Sequence, residues 1–114
     1  MSTDRELLQA AAKAAGYELD YTIRPDGLAF YHSGRNAMAL ADGGWFAPLT
    51  DDGDALRLAV KLGMQLDLRH DTNEVRIFGA PKGRIDEGVR DDPYAATRRA
   101  IVRVAAALGE QHDQ

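Results

Sequence analysis

Asp51, Asp52 and Asp54 form the densest set of candidate ligand oxygens in the chain. Oxygens so close together would hold a divalent cation if a loop closed around them. Calcium loops space their oxygens alternately and close on a glutamate. Counted from Asp51, the closing position is Leu62, so that pattern fails. A helix start accounts for all three carboxylates. Thr50 or Asp51 caps the helix, and the remaining aspartates sit in its first turn, where the helix dipole stabilises each by a few tenths to about 1 kcal/mol. His32, His70 and His112 are far apart and make no His-x-x-x-His pair. His32 adjoins Ser33, but a nucleophile and its base must meet in space and need an orienting acid. Gly79-x-x-x-Gly83-Arg84 misses both the spacing and the Lys-Ser/Thr ending of a phosphate loop. The sequence therefore offers no catalytic residue, no metal set and no cofactor site, and a non-enzymatic protein is expected.

Two binding surfaces remain. Lys82, Arg84, Arg98 and Arg99 could converge at the start of the last helix, where free N–H groups attract anions. They form the candidate site for a nucleotide-like ligand or nucleic acid. Asp86, Glu87, Asp91 and Asp92 share that stretch and work against it. The second surface is aromatic. Trp45 precedes the helix cap and is expected to pack back on the first turn as a staple, which leaves Phe46 pointing outward. Tyr31 and Phe78 fall on the polar-face parity of their strands. Tyr31, Phe46 and Phe78 are the candidate partner-binding residues, because aromatics are enriched at interface centres.

The elements that position these residues follow from periodicity. Thr3 or Asp4 caps a first helix running to Ala15, with Leu7, Leu8, Ala11, Ala12 and Ala15 as its apolar stripe and Gly16 as its stop. Residues 17–24 alternate as a half-buried strand. Pro25-Asp26-Gly27 turns into a strand at 28–32, and residues 37–41 form a third. The second helix runs from the acidic cap to Leu62, with Gly63 ending it and Leu56, Ala59 and Val60, joined by Ala55 and Leu62, facing the core. Residues 64–70 and 74–78 form a hairpin with Val75 and Ile77 inward. Residues 79–91 read as a long linker, a length usually functional or disordered. Asp92 caps and Pro93 opens the last helix, whose core stripe is Tyr94, Thr97, Ile101, Val104, Ala105 and Leu108. The expected class is α+β: one antiparallel sheet of about five strands packed with three helices, in the order α-β-β-β-α-β-β-α.

Two segments carry a family resemblance. One is Trp45-x-x-Pro48-Leu49-x-Asp51-Asp52-x-Asp54-Ala55-x-Arg57-Leu58-Ala59-x-x-Leu62. The other is Asp92-Pro93-Tyr94-Ala95-Ala96-Thr97-Arg98-Arg99-Ala100-Ile101. With a hairpin between them, residues 45–108 resemble the phage ABA-sandwich domain family of small phage and prophage proteins. The resemblance implies phage or prophage origin, residence in the cytoplasm of a bacterial host, and no assigned reaction. Trp45, Asp51, Asp54, Asp92 and Pro93 match the motifs as structural helix starts. A sheet sandwiched between helices would be apolar on both faces. The polar sides of 17–24 and 64–70 instead predict a face open to water.

Composition agrees with a soluble single domain. The 114 residues are enough to bury a core without disulfides or metals, and there is no cysteine. The start Met1-Ser2-Thr3-Asp4-Arg5-Glu6 is unlike a signal peptide, and no apolar run is long enough to span a membrane. The formal net charge is −4, and it is spread along the chain. That charge opposes nucleic acid, whose binding rests on phosphate neutralisation. The expected role is an accessory protein that binds a host or phage protein non-covalently and blocks a host process such as defence.

Overall fold

The structure, a computed structural model, describes residues 3–20, 31–69, 73–78, 84–89 and 92–112. Among the described residues, three helices and two three-stranded antiparallel sheets alternate along the chain: α1 (Asp4–Ala15), β1 (Tyr31–His32), β2 (Ala37–Ala39), β3 (Trp45–Phe46), α2 (Asp52–Lys61), β4 (Gln65–Arg69), β5 (Glu74–Phe78), β6 (Arg84–Gly88) and α3 (Pro93–His112). The α+β class and the helix–strands–helix–strands–helix order are as expected. The single sheet of about five strands is not: β1-β2-β3 and β4-β5-β6 are separate.

The helix ends follow their local chemistry. Thr3 caps α1 in a reciprocal capping box. Its hydroxyl accepts from the Glu6 N–H at 3.2 Å, and Glu6 accepts from the Thr3 N–H at 3.0 Å. That bond to the Thr3 backbone, with one from its hydroxyl, holds the Glu6 carboxyl below its usual range. Gly16 ends α1 at φ 78°, a left-handed conformation that only glycine adopts cheaply. Asp92 Oδ1 accepts from the N–H groups of Tyr94 and Ala95 at 2.9 and 3.2 Å, and Pro93 opens α3.

Helices α1 and α3 pack along each other at the centre. The first sheet lies against α1, while α2 and the second sheet lie against α3. The core joins Leu8, Ala11 and Ala12 of α1 to Leu58 of α2, Ile77 of β5 and Ile101, Val102 and Ala105 of α3. Small residues let α1 and α3 approach closely. A Cβ added at Gly109 would lie 1.9 Å from the Ala10 carbonyl oxygen.

Two strands occupy segments read otherwise from sequence. Trp45–Phe46 is β3, paired with β2 through Met38·Phe46 and Ala39·Trp45. Residues 84–88, inside the expected linker, are β6, paired along all of β5. Its Ile85 packs against the core, and its Glu87 receives Arg103 of α3. The expected first strand is represented by Leu19, which bridges Leu40. The Pro25–Gly27 turn, the expected strand portions at 21–24 and 28–30, and residues 79–83 lie outside the described residues.

Candidate functional site

Each acidic residue of the helix start has a structural partner. Asp51 Oδ2 accepts from the Asp54 N–H at 2.9 Å and caps α2. Asp54 Oδ2 accepts from the Ala47 N–H at 2.9 Å, and its other oxygen holds Arg57, whose pKa that bond raises. Asp52 Oδ1 accepts from Arg98 Nη1 at 2.6 Å, while Arg98 Nε donates to the Leu49 carbonyl at 2.9 Å. The three carboxylates thus point to a cap, a turn and a neighbouring helix. Among the described residues, no group of three or more His, Asp or Glu could hold a metal ion.

The Arg98–Asp52 tie closes one end of an apolar groove of about 690 Å3 between α2, β4–β5 and the start of α3. The cause is a mismatch between helix and sheet. In β4, Leu66 and Leu68 stand opposite Ile77 and Val75 of β5 and share their face. Helix α3 covers β5 and β6. Val75 and Ile77 are buried beneath it, whereas Leu66 is 37% and Leu68 56% exposed. Leu56 of α2, 60% exposed, and Tyr94 of α3, 68% exposed, complete the walls. The groove is therefore the uncovered strip of the second sheet's inner face. Isolated exposed apolar residues are ordinary, but a contiguous set in a concave wall makes this groove the candidate site.

Several sequence expectations are corrected here. Leu56 and Val60 do not face the core: Val60 is 73% exposed, and Leu58, Ala55 and Ala59 supply the buried side. Tyr94 leaves the core stripe of α3. Phe46 does not point outward. It is 3% exposed and packs its ring 5.2 Å from Tyr17, so it cannot meet a partner. Trp45 is the outer residue of the pair, with the His32 ring edge at 5.7 Å and the Arg35 guanidinium 5.4 Å above it. Pairing with β2 decides this exchange, because Phe46 stands opposite buried Met38.

Tyr31 also stands opposite Met38 and packs against the core, not on a wet face. Its hydroxyl donates to Asn36 Oδ1 at 2.6 Å, and burial, followed by the Asp4 charge, raises its pKa. Phe78 is half-buried on the outer face of the second sheet, between Gln65 and Arg84. Tyr31 and Phe78 thus belong to different sheets and form no common patch.

The anion set is not assembled either. Arg98 is held by Asp52, and Arg99 reaches Asp4 on α1 at 3.1 Å. Arg84 lies on β6, and Lys82 lies outside the described residues.

The groove left a signal that periodicity alone misassigned. On α2, Ala55, Leu58, Ala59 and Leu62 make one apolar face, and Leu56 and Val60 make a second at four-residue spacing. A helix with two apolar faces has one too many for a single core.

No family model, curated protein or solved structure matches the chain.

Proposed function

We propose that this protein is a non-enzymatic binding module that takes an apolar segment of another polypeptide into the groove between α2, β4–β5 and α3. The observation that carries this reading is the exposure of Leu56, Leu66, Leu68 and Tyr94 around one concave surface. Burying such side chains gains roughly 25 cal/mol per Å2 of apolar surface. Aromatic and aliphatic anchors in pockets are where binding energy concentrates. The lining is mainly apolar, and of its charged residues Asp52 and Arg98 are tied to each other. A polypeptide with apolar anchors fits such a surface better than a phosphate-rich ligand does. The ion pairs of Arg98 and Arg99 and the net charge of −4 count further against a nucleotide or nucleic acid.

The resemblance of residues 45–108 to the phage ABA-sandwich family supports a phage or prophage setting and a host or phage protein as the partner. Interference with a host process such as defence is the role this combination favours.

Peptide selection on the immobilised protein tests the binding mode. The expected ligands carry spaced large apolar residues, and Leu56→Asp or Tyr94→Ala abolishes their capture while circular dichroism stays unchanged. Ligands retained by both variants, or lost instead on Arg98→Glu with steep salt dependence, would refute the groove reading.

A further inference from the structure

The edge of the second sheet carries an inference that goes beyond the groove and does not rest on it. Among the described residues, β4 pairs with β5 alone. Natural edge strands are guarded by charged side chains, prolines, bulges or covering loops, and the charges on β4 are Asp67 and Arg69. The run Gln65-Leu66-Asp67-Leu68-Arg69 has no proline or lysine, and it pairs with β5 without a bulge. Such an edge admits another strand only where its charges are matched.

The outer face of the sheet specifies which strand. Its charges alternate from strand to strand. Asp67 of β4 stands opposite Arg76 of β5, which stands opposite Asp86 of β6. One row along, Arg69 stands opposite Glu74. Arg76 lies 3.2 Å from Glu74 on its own strand and 4.0 Å from Asp86 across the ladder. Continuing the alternation past β4 requires a cation beside Asp67 and an anion beside Arg69, two residues apart. β4 itself, run antiparallel, has that order.

We infer that two copies of the chain pair their β4 strands about a two-fold axis centred on Leu68, joining their second sheets into one. An axis perpendicular to the sheet keeps the apolar faces of both copies on the same side and sets leucines against leucines. Within β4 the axis can fall on Leu66, Asp67 or Leu68. Centring on Asp67 sets that carboxylate against its own copy, and like charges directly opposite destabilise a strand pair. Centring on Leu66 sets Gln65 against Asp67 and leaves Arg69 out of the ladder. Centring on Leu68 sets Asp67 against Arg69 of the second copy, and by symmetry does so twice.

A short strand pair alone falls below the roughly 1,200 Å2 of a stable interface. The dimer is therefore reversible and concentration-dependent.

Sedimentation equilibrium on the full chain tests this. The wild type sediments as a monomer–dimer equilibrium. Asp67→Arg and Arg69→Asp each place like charges across the axis, so each is monomeric. Their equimolar mixture restores opposite charges at both pairs and recovers the dimer mass.

A second measurement fixes the register and does not depend on those variants folding. The chain has no cysteine. Leu68→Cys cross-links to itself under mild oxidation because the two residues lie directly opposite, whereas Gln65→Cys, displaced along the ladder, does not. A wild type that is monomeric at every concentration overturns the proposal. So does a mixture of folded variants that stays monomeric, or cross-linking at position 65 in place of 68.

Discussion

Asp4 and Arg99, separated by 95 positions, meet at 3.1 Å where α1 crosses α3. The other Asp4 oxygen accepts from Asn36 Nδ2 at 3.0 Å, and Asn36 holds the Tyr31 hydroxyl. A carboxylate in the first turn of α1 thus ties together the last helix and the β1–β2 turn, where Asn36 takes a left-handed φ of 49°. Both charged side chains are partly exposed, which limits what the pair contributes. Asp4→Ala is expected to lower stability by about 1 kcal/mol. A double-mutant cycle with Arg99→Ala should show a coupling of roughly 0.2–1 kcal/mol in urea denaturation.

The same network has a pH signature. Burial and the Asp4 charge raise the Tyr31 pKa above its ordinary value. A pKa raised on folding means that the native state holds the proton more tightly than the unfolded chain. The associated stability is complete below the unfolded value near 10 and is lost as pH rises through the folded value. Urea midpoints measured between about pH 9 and about pH 11 should fall more steeply for the wild type than for Tyr31→Phe.

Gly109 separates packing from propensity by sign. On an exposed helix surface, Gly→Ala stabilises by about 0.5–1 kcal/mol. Here the added Cβ would lie 1.9 Å from the Ala10 oxygen and 2.8 Å from its carbon. Gly109→Ala should therefore destabilise by about 1–3 kcal/mol, read from the denaturation midpoint.

Asp51 is a helix cap in this structure, and its neighbours serve other structural bonds. Asp51→Ala should cost about 0.5–2 kcal/mol. Calcium and magnesium should leave the melting temperature of the wild type unchanged. A metal-dependent rise that disappears in Asp51→Ala would overturn this assignment.

Ile77 and Leu56 carry opposite expectations although both are apolar. Ile77 is fully buried beneath α3, so Ile77→Ala should cost about 2–5 kcal/mol. Leu56 stands in the open groove wall, so Leu56→Ser should change stability by no more than about 0.5 kcal/mol. Equal losses in thermal unfolding would mean that the groove belongs to the core.

What the sequence determined by itself is local. Thr3, Gly16, Asp51 and the Asp92–Pro93 pair mark helix ends because a cap and its target N–H groups lie within a few residues of each other. The inward alternation of Val75 and Ile77 was readable because a strand repeats every two residues. Tertiary structure decided the rest, through partners distant in the chain. Pairing with β2 turned Phe46 into the core and Trp45 outward. The reach of α3 across β5 and β6, but not β4, left Leu66 and Leu68 open beside the second apolar face of α2. Arg98 and Arg99, adjacent in sequence, were drawn to carboxylates on two different helices, so the alternative anion-binding cluster became two structural ties. Periodicity records that a face is apolar, but only packing decides whether anything covers it.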